Sequence, residues 1–235
     1  MSKRRFLIGL GLLVAFRGPA AANILGIGAC QQATLAHYIS LGSTGCEIDH
    51  PVFKDFRFQV LDFGGGATPI TAADILVTPS LTGSAHNLSF SSPGFQVTGN
   101  QFVVYLISYF VDPDPRIITF SDELETETPV FPGRVDITTD LCIGRAFRGA
   151  QCLRPGTPAQ LSLFHDGMQF QTFDSVAFRP TADVGVRNTI ALRANGASAD
   201  FRSLTNRTIV PEPATWLLLG SGVLGMRFWR RRLSR

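Results

Sequence analysis

The chain has 235 residues with 23 glycines and 19 phenylalanines, a composition that suits one domain of short strands and tight turns better than a helical bundle. Its net charge of +3 resides at the two ends, because residues 23–210 contain 12 Lys and Arg against 17 Asp and Glu and therefore carry −5. An acidic body argues against a nucleic-acid partner, since binding phosphates requires a clustered basic face.

The first 22 residues are typical of a cleaved secretory signal. Lys3, Arg4 and Arg5 precede an apolar run at 6–16, and the alanines at 20–22 fit the small-residue cleavage rule. As a helix this run extends only about 16 Å, at ~1.5 Å per residue, which is too short to cross a bilayer. We therefore expect the first 22 residues to be removed on export.

Two other export signals remain as alternatives. Arg4-Arg5-Phe6-Leu7 resembles a twin-arginine signal, although its spacing is imperfect. Residues 27–30, Ile-Gly-Ala-Cys, resemble a lipobox, which would place a lipid on Cys30. Arg17 and Pro19 would then interrupt the hydrophobic region, so ordinary secretion is the preferred interpretation.

Four cysteines remain in the exported part: Cys30, Cys46, Cys142 and Cys152. An even count in a secreted chain predicts two disulfides, for which three pairings are possible. Proximity in sequence favours Cys30–Cys46 and Cys142–Cys152, each stabilising the fold by roughly 2–4 kcal/mol. A zinc site is the alternative, but 15 and 9 intervening residues do not fit its ligand spacing.

The body begins with a predicted short helix, after which the pattern changes to strands. Leu35, Tyr38 and Ile39 fall at helical spacing, which predicts a helix within residues 31–40. Residues 55–60 alternate between polar and apolar side chains, which predicts a half-buried strand. The apolar run at 102–111 predicts a central strand that is covered on both faces.

Turn-forming residues separate the apolar runs in the rest of the body. Asp166-Gly167 and Asn195-Gly196 each lie between short apolar runs and predict two-residue hairpin turns. Several strands with regular turns predict a mainly β fold, an antiparallel β-sandwich of jelly-roll-like type with one short N-terminal helix. We assign the signal peptide to residues 1–22, the exported β-sandwich domain to 23–206, and a linker to 207–213.

The acidic residues are the one group whose chemistry suits metal binding or catalysis. The candidate calcium ligands are Asp112, Asp114, Asp122 and Glu123. Carboxylates that converge from two loops could bind Ca²⁺, or they could serve as the acid and nucleophile of a glycosidase if held about 5–10 Å apart. A solvated loop is the simpler interpretation, so we expect no catalytic site, no cofactor and no bound metal.

Other motifs do not indicate catalysis. The four histidines lie apart in sequence without metal-ligand spacing, and surface or capping roles are expected for all of them: His37, His50, His86 and His165. Residues 42–45 lack the spacing of a serine-hydrolase elbow, and the glycines at 64–66 are not followed by a phosphate-binding lysine.

The C-terminal segment combines a short apolar run with positive charge. Four arginines follow this run as candidate cytoplasmic anchor charges: Arg227, Arg230, Arg231 and Arg232. The run at 214–226 is shorter than the ~20 residues that usually span a bilayer, but positive charge gathers on the cytoplasmic side and tryptophans flank membrane helices. We therefore predict a short transmembrane helix at 214–229 that holds the body outside the cytoplasm.

A short proline-rich segment precedes this helix: Val210, Pro211, Glu212 and Pro213. The prolines keep it extended, as a protease groove requires. Together with the hydrophobic helix and the arginines, it resembles the PEP-CTERM sorting signal of exported proteins from Gram-negative bacteria. The resemblance covers about the last 26 residues. It implies processing by an exosortase, a membrane cysteine protease, and we assign the sorting signal to residues 207–235.

The body is similar to uncharacterised exported proteins that carry this tail, through Gly45-Cys46-Glu47-Ile48 and the aromatic strand at 52–60. We expect a non-enzymatic protein in the periplasm, at the cell surface or in the extracellular matrix, transiently anchored in the inner membrane and associated with exopolysaccharide. The alternatives are a carbohydrate-binding module, assisted by calcium and using exposed aromatic residues on one sheet face, and a secreted hydrolase.

Overall fold

A computed structural model describes residues 27–112, 116–126 and 131–210, and the structural statements below concern these residues. The predicted signal peptide, Asp114 and everything from Pro211 onward lie outside them, including the predicted transmembrane helix and its arginines. Within the described ranges, no helix is both long and apolar enough to cross a membrane.

Strands dominate the described residues, with one α-helix, α1 (Leu35–Ser40), and one 3₁₀ turn (Ala72–Asp74). The strands, in chain order, are β1 (Gly28–Ala29), β2 (Ala33–Thr34), β3 (Cys46–Glu47), β4 (Val52–Gly64), β5 (Leu76–Thr82), β6 (Ala85–Ser91), β7 (Gln96–Gly99), β8 (Phe102–Asp112), β9 (Ile117–Glu125), β10 (Arg134–Ile143), β11 (Thr157–His165), β12 (Phe170–Gln171), β13 (Phe173–Thr181), β14 (Val184–Arg193), β15 (Ala197–Asp200) and β16 (Ser203–Ile209).

Two large sheets carry the fold. The eight-stranded sheet has the order β1-β3-β4-β8-β14-β10-β11-β12, and the six-stranded sheet has the order β13-β9-β16-β6-β5-β2. A small third sheet pairs β15 with β7. All strand pairs are antiparallel except β1 with β3. The predicted mainly β, sandwich-like architecture is confirmed, and the jelly-roll-like connectivity stays a prediction.

Helix α1 forms within the predicted segment 31–40 but is shorter, because Ala33 and Thr34 pair with β5 as strand β2. Thr34 caps the helix by accepting a hydrogen bond from the His37 N–H at 3.3 Å. Leu35 and Tyr38 are buried on its inner face, and the Tyr38 ring meets Phe56 edge-on at 5.0 Å between centroids. Burial raises the pKa of Tyr38 to about 12. The helix therefore closes one end of the hydrophobic core.

Both predicted disulfides are present, Cys30–Cys46 and Cys142–Cys152. The first joins the start of the described chain to β3, in front of the long strand β4. Because Cys30 is bonded to Cys46, it has no thiol to carry a lipid, and the lipobox alternative is wrong. The zinc alternative is wrong for the same reason, since none of the four thiols is free.

Strand β8 is central, as predicted, and lies between β4 and β14. Its inward side chains are buried, from Val103 through Tyr105 and Ile107 to Val111. The outward side chains are only half-buried. The expectation that both faces are covered is therefore wrong, because the apolar outward residues form the floor of an open groove.

The two predicted hairpin turns have different outcomes. At Asp166 the chain does turn from β11 to β12, but through a four-residue loop in which Asp166 Oδ1 accepts hydrogen bonds from the Met168 and Gln169 N–H groups. Asn195 and Gly196 adopt the positive φ angles of a tight turn, 50° and 90°. Strand β15 nevertheless pairs with β7, because β8 and β10 already occupy both edges of β14.

The C-terminal boundary of the sandwich lies later than predicted. Strand β16 pairs with β6 and β9 through Ile209, so residues 207–209 belong to a strand and not to a linker. Val210 is 5% exposed, and its N–H donates to the Ser84 carbonyl at 3.2 Å. The domain end at 206 is therefore corrected to include Val210.

A buried group of polar side chains connects the two large sheets. This interlayer polar cluster consists of Tyr109, Thr139 and Asn188 from the eight-stranded sheet and Asp122 and Asn206 from the six-stranded sheet. Asn206 Nδ2 donates to Asp122 Oδ1 at 2.6 Å, and Asn206 Oδ1 accepts from Asn188 Nδ2 at 2.7 Å and from the Tyr109 hydroxyl at 2.9 Å. Thr139 donates to Asn188 Oδ1 at 2.8 Å.

Asp122 is the terminal acceptor of this cluster. Its side chain is 1% exposed, and its second oxygen, Oδ2, has no hydrogen-bond partner among the described residues. Burial raises the pKa of Asp122 from 3.8 to about 7, because the charged carboxylate has lost its water. The folded state therefore holds a proton that the unfolded state has already released between pH ~4 and ~7.

We predict that the free energy of unfolding falls as the pH rises through this window, by on the order of 4 kcal/mol from Asp122 alone. In Asp122→Asn this loss should be absent, and the variant should be at least as stable as the wild type at pH 7.5. Urea unfolding between pH ~4 and pH 7.5 measures the pH dependence of the free energy of unfolding and the relative stability of the variant. The control is Glu123→Gln on the outward face of the same strand, which should keep the wild-type slope. An unchanged slope in Asp122→Asn would contradict the assignment.

Candidate functional site

The acidic residues that the sequence grouped together are separated by the fold. Asp112 pairs with Lys54 at 2.6 Å on the eight-stranded sheet. Asp122 is buried between the sheets, whereas Glu123 faces outward on β9, 3.2 Å from Arg207. These three side chains do not form one calcium site, and no group of three or more potential metal ligands occurs within the described residues.

The surface role expected for His86 is wrong. His86 lies on the inward side of β6, in the same alternation as Leu88 and Phe90, and is 3% exposed. Burial lowers the pKa of His86, an effect that the Asp49 carboxylate 3.7 Å away partly offsets. His86 is thus a core residue at the end of the sandwich.

The outward face of the eight-stranded sheet carries a groove, the sheet-face groove, with a volume of about 590 Å³. Its floor is formed by side chains from the three adjacent strands β4, β8 and β14: Arg57, Gln59, Leu106, Ser108, Phe110 and Arg187. For comparison, a second cleft beside Phe95 and Phe201 has a volume of about 320 Å³. The sheet-face groove is therefore a candidate binding site on size and on its mixed polar and aromatic lining.

The strand register brings the polar groups of the floor into one row. Ser108 stands opposite Arg57 of β4 on one side and opposite Arg187 of β14 on the other. A bulge at Asp55, whose φ is 56°, resets the alternation of β4 so that Phe56 points into the core and Arg57 points into the groove. The bulge thus decides which face Arg57 occupies.

The wall loop, residues 146–150, forms one side of the groove. The Cys142–Cys152 disulfide closes the segment that contains it. Phe147 packs against the Arg187 guanidinium at 5.4 Å, and Arg187 Nη1 donates to the Ala150 carbonyl at 3.1 Å. Both contacts hold the loop against the sheet.

Gly185 allows the wall loop to lie this close to the sheet. A Cβ atom at position 185 would come within 2.9 Å of the Phe147 ring, 3.0 Å of the Phe147 nitrogen and 3.1 Å of the Arg145 carbonyl. The Gly185 N–H also donates to that carbonyl at 3.0 Å. A side chain at this point would push the wall outward.

Sequence reasoning missed this site, although three signals were present. Arg57 was correctly placed on the polar side of an alternating strand. Ser108 interrupts an otherwise apolar run, and Phe147 lies in a loop between two bonded cysteines. Each signal is weak alone, and only the strand pairing makes them neighbours.

The candidate sorting motif begins with the last described residue. Residues 210–232 match the family model of the PEP-CTERM protein-sorting motif. This match confirms the predicted resemblance and implies an exported protein that is anchored in the membrane before an exosortase processes it. Since Val210 is buried in the sandwich, the motif starts directly at the edge of the folded domain.

Comparison with curated proteins finds no match to this sequence. Among solved structures, TmCBM61 in complex with β-1,4-galactotriose shares 9% identity at a TM-score of 0.35, covering 64% of this chain and 86% of that chain. The Glycosylation Associate Protein (Gap123) complex from Streptococcus agalactiae shares 11% identity at a TM-score of 0.24, covering 70% of this chain and 26% of that chain. Similarities this low establish no common function.

We predict that Gly185→Ala lowers the free energy of unfolding by about 1–3 kcal/mol, because its Cβ overpacks against Phe147 and Arg145. Urea denaturation gives the value directly. Gly28→Ala is the matched control, since a Cβ there meets nothing within 4 Å and the stability should stay within about 0.5 kcal/mol of the wild type. Equal effects of the two substitutions would show that the wall loop does not pack as described.

We also predict that the processed protein ends beyond Val210. A protease binds an extended, unpaired backbone, whereas β16 is hydrogen-bonded on both sides and Val210 is bonded to Ser84. Intact-mass and C-terminal peptide mass spectrometry of the exported protein locates the terminus. A mature chain that ends before Ile209 would be incompatible with a folded β16 in the product.

Proposed function

We propose that this is a non-enzymatic, exported protein that binds polysaccharide in the sheet-face groove and associates with exopolysaccharide at the cell surface or in the extracellular matrix. The observation that carries the proposal is the groove itself. It joins hydrogen-bonding side chains from three strands to aromatic side chains on its floor and wall.

The lining suits the two kinds of surface that a sugar ring presents. Sugar hydroxyls need donors and acceptors, which Arg57, Gln59 and Ser108 supply together. The C–H faces of the ring need apolar contacts, which Phe110 and Phe147 supply. A long groove floor built on strands is also rigid, which limits the entropy lost on binding.

The charge pattern of the groove supports binding without hydrolysis. Glycosidases use a pair of carboxylates on either side of the scissile bond. Within the described residues, Asp55 is the one acidic side chain among those that line the groove. A single carboxylate does not provide the acid and the nucleophile together.

The position of the sorting motif is compatible with this role. Val210 follows β16, which belongs to the six-stranded sheet, whereas the groove lies on the outward face of the eight-stranded sheet. Attachment through the C-terminal segment therefore leaves the groove on the opposite layer of the sandwich.

We predict that Ser108→Trp abolishes polysaccharide binding, because an indole at the centre of the floor blocks the space between Arg57 and Arg187. Glycan-array binding followed by affinity electrophoresis on the positive polysaccharides measures the effect. Thr205→Trp is the control, since Thr205 is half-buried and faces outward at the centre of the six-stranded sheet.

Binding that survives Ser108→Trp would refute the groove as the site. A wild-type protein that binds no polysaccharide on the array or from cell-surface extracts would refute the proposed function itself. Thermal unfolding of both variants establishes that each is folded before binding is compared.

A further inference from the structure

Two arginines give the groove a ligand preference that goes beyond polysaccharide in general. Arg57 and Arg187 flank Ser108 on neighbouring strands. Their Cα atoms are two strand spacings apart, about 10 Å. From this arrangement, and building on the proposed function, we infer that the groove is selective for polysaccharides that carry carboxylate groups, such as polyuronates.

Arg57 is available to a ligand. Its side chain is exposed, and it makes no ion pair or hydrogen bond within the described part of the chain. A guanidinium presents a planar fork of donors that matches a carboxylate in a bidentate pair. Arg57 can therefore bind a carboxylate without first breaking a contact of its own.

Arg187 is held in place but keeps donors for a ligand. Its guanidinium lies over the Phe147 ring, and one nitrogen, Nη1, donates to the Ala150 carbonyl. The remaining N–H groups of the fork are not used by these two contacts. Arg187 is thus a positioned cation on the opposite side of Ser108 from Arg57.

Two carboxylates lie near this pair of cations. Asp55 is the one acidic residue in the groove lining, and Asp140 stands opposite Arg187 on β10, where it accepts a hydrogen bond from Gln160 at 2.9 Å. Neither carboxylate forms an ion pair with Arg57 or Arg187 within the described residues. Both guanidinium groups can therefore pair with a ligand carboxylate at close range, where direct contact outweighs the screened charge of the acidic body.

Two cations do not make a nucleic-acid site. Binding a phosphate backbone requires an extended basic face that neutralises many phosphates. The groove offers only a local pair, with aromatic and apolar side chains beside it. A sugar chain with occasional carboxylates matches this mixture better than a uniformly charged polymer does.

The test compares the same polymer with and without its charge. Affinity of the mature exported protein is measured for polygalacturonate and alginate, and for each polymer after its carboxyl groups have been reduced to alcohols. We expect the wild type to prefer the unreduced polymers, and rising NaCl concentration to weaken this preference.

Three substitutions test whether the charges of the groove cause this preference. Arg57→Gln should lower the affinity for the unreduced polymers about tenfold more than it lowers the affinity for the reduced ones, because the guanidinium pairs with the carboxylate in addition to donating to sugar hydroxyls. Asp55→Asn should raise the affinity for the unreduced polymers, and asparagine tolerates the positive φ at this position. Arg193→Gln is the matched control, because Arg193 is exposed on the same strand as Arg187 but is not part of the groove lining.

The possible failures are distinguishable. Equal affinity for reduced and unreduced polymers, or unchanged binding by Arg57→Gln, would overturn the selectivity and leave the polysaccharide-binding function standing. Binding to neutral polysaccharides alone would also overturn the selectivity for carboxylates and leave the polysaccharide-binding function standing. No binding to any polymer, reduced or unreduced, would overturn both the selectivity and the proposed function.

Discussion

The interlayer polar cluster connects the two sheets at their centre, and the rest of the structure depends on the alignment that it imposes. Hydrophobic contact between two sheets is non-directional and by itself permits them to shift. A chain of hydrogen bonds with defined donors and acceptors favours one alignment, because any shift leaves buried polar atoms unpaired. Two of its members, Tyr109 and Asn188, directly follow Ser108 and Arg187 in sequence. The core thus positions the groove residues through the alternation of the strands.

The wall of the groove depends on a second set of contacts that are local to one corner of the sheet. The Cys142–Cys152 bond limits how far the wall loop can move, and Gly185 leaves space for Phe147 against β14. Phe147 in turn orients Arg187. A disulfide that the sequence predicts as a stabilising element therefore also shapes the candidate binding site.

Local features of the fold were predictable, and features that depend on pairing were not. The helix at Leu35 and the strand alternation at Phe56 follow from side-chain periodicity, which each segment carries by itself. The Asn195-Gly196 turn also forms locally. Its strand partner could not be predicted, because β14 was already paired on both edges by segments far away in sequence. The burial of His86 was missed for the same reason, since a lone histidine does not reveal which face of a strand is covered.

By itself, the sequence predicted the C-terminal sorting motif and the mainly β character of the body, and it favoured the disulfide pairing that the structure has. These depend on composition, on short spacings and on a contiguous motif, which matches the PEP-CTERM family model at residues 210–232. The candidate site was decided only by the tertiary structure. Arg57, Ser108 and Arg187 are separated by 51 and 79 positions, yet register places them in one row. No local pattern encodes that row, because strand pairing in a sandwich is settled by the packing of the whole core.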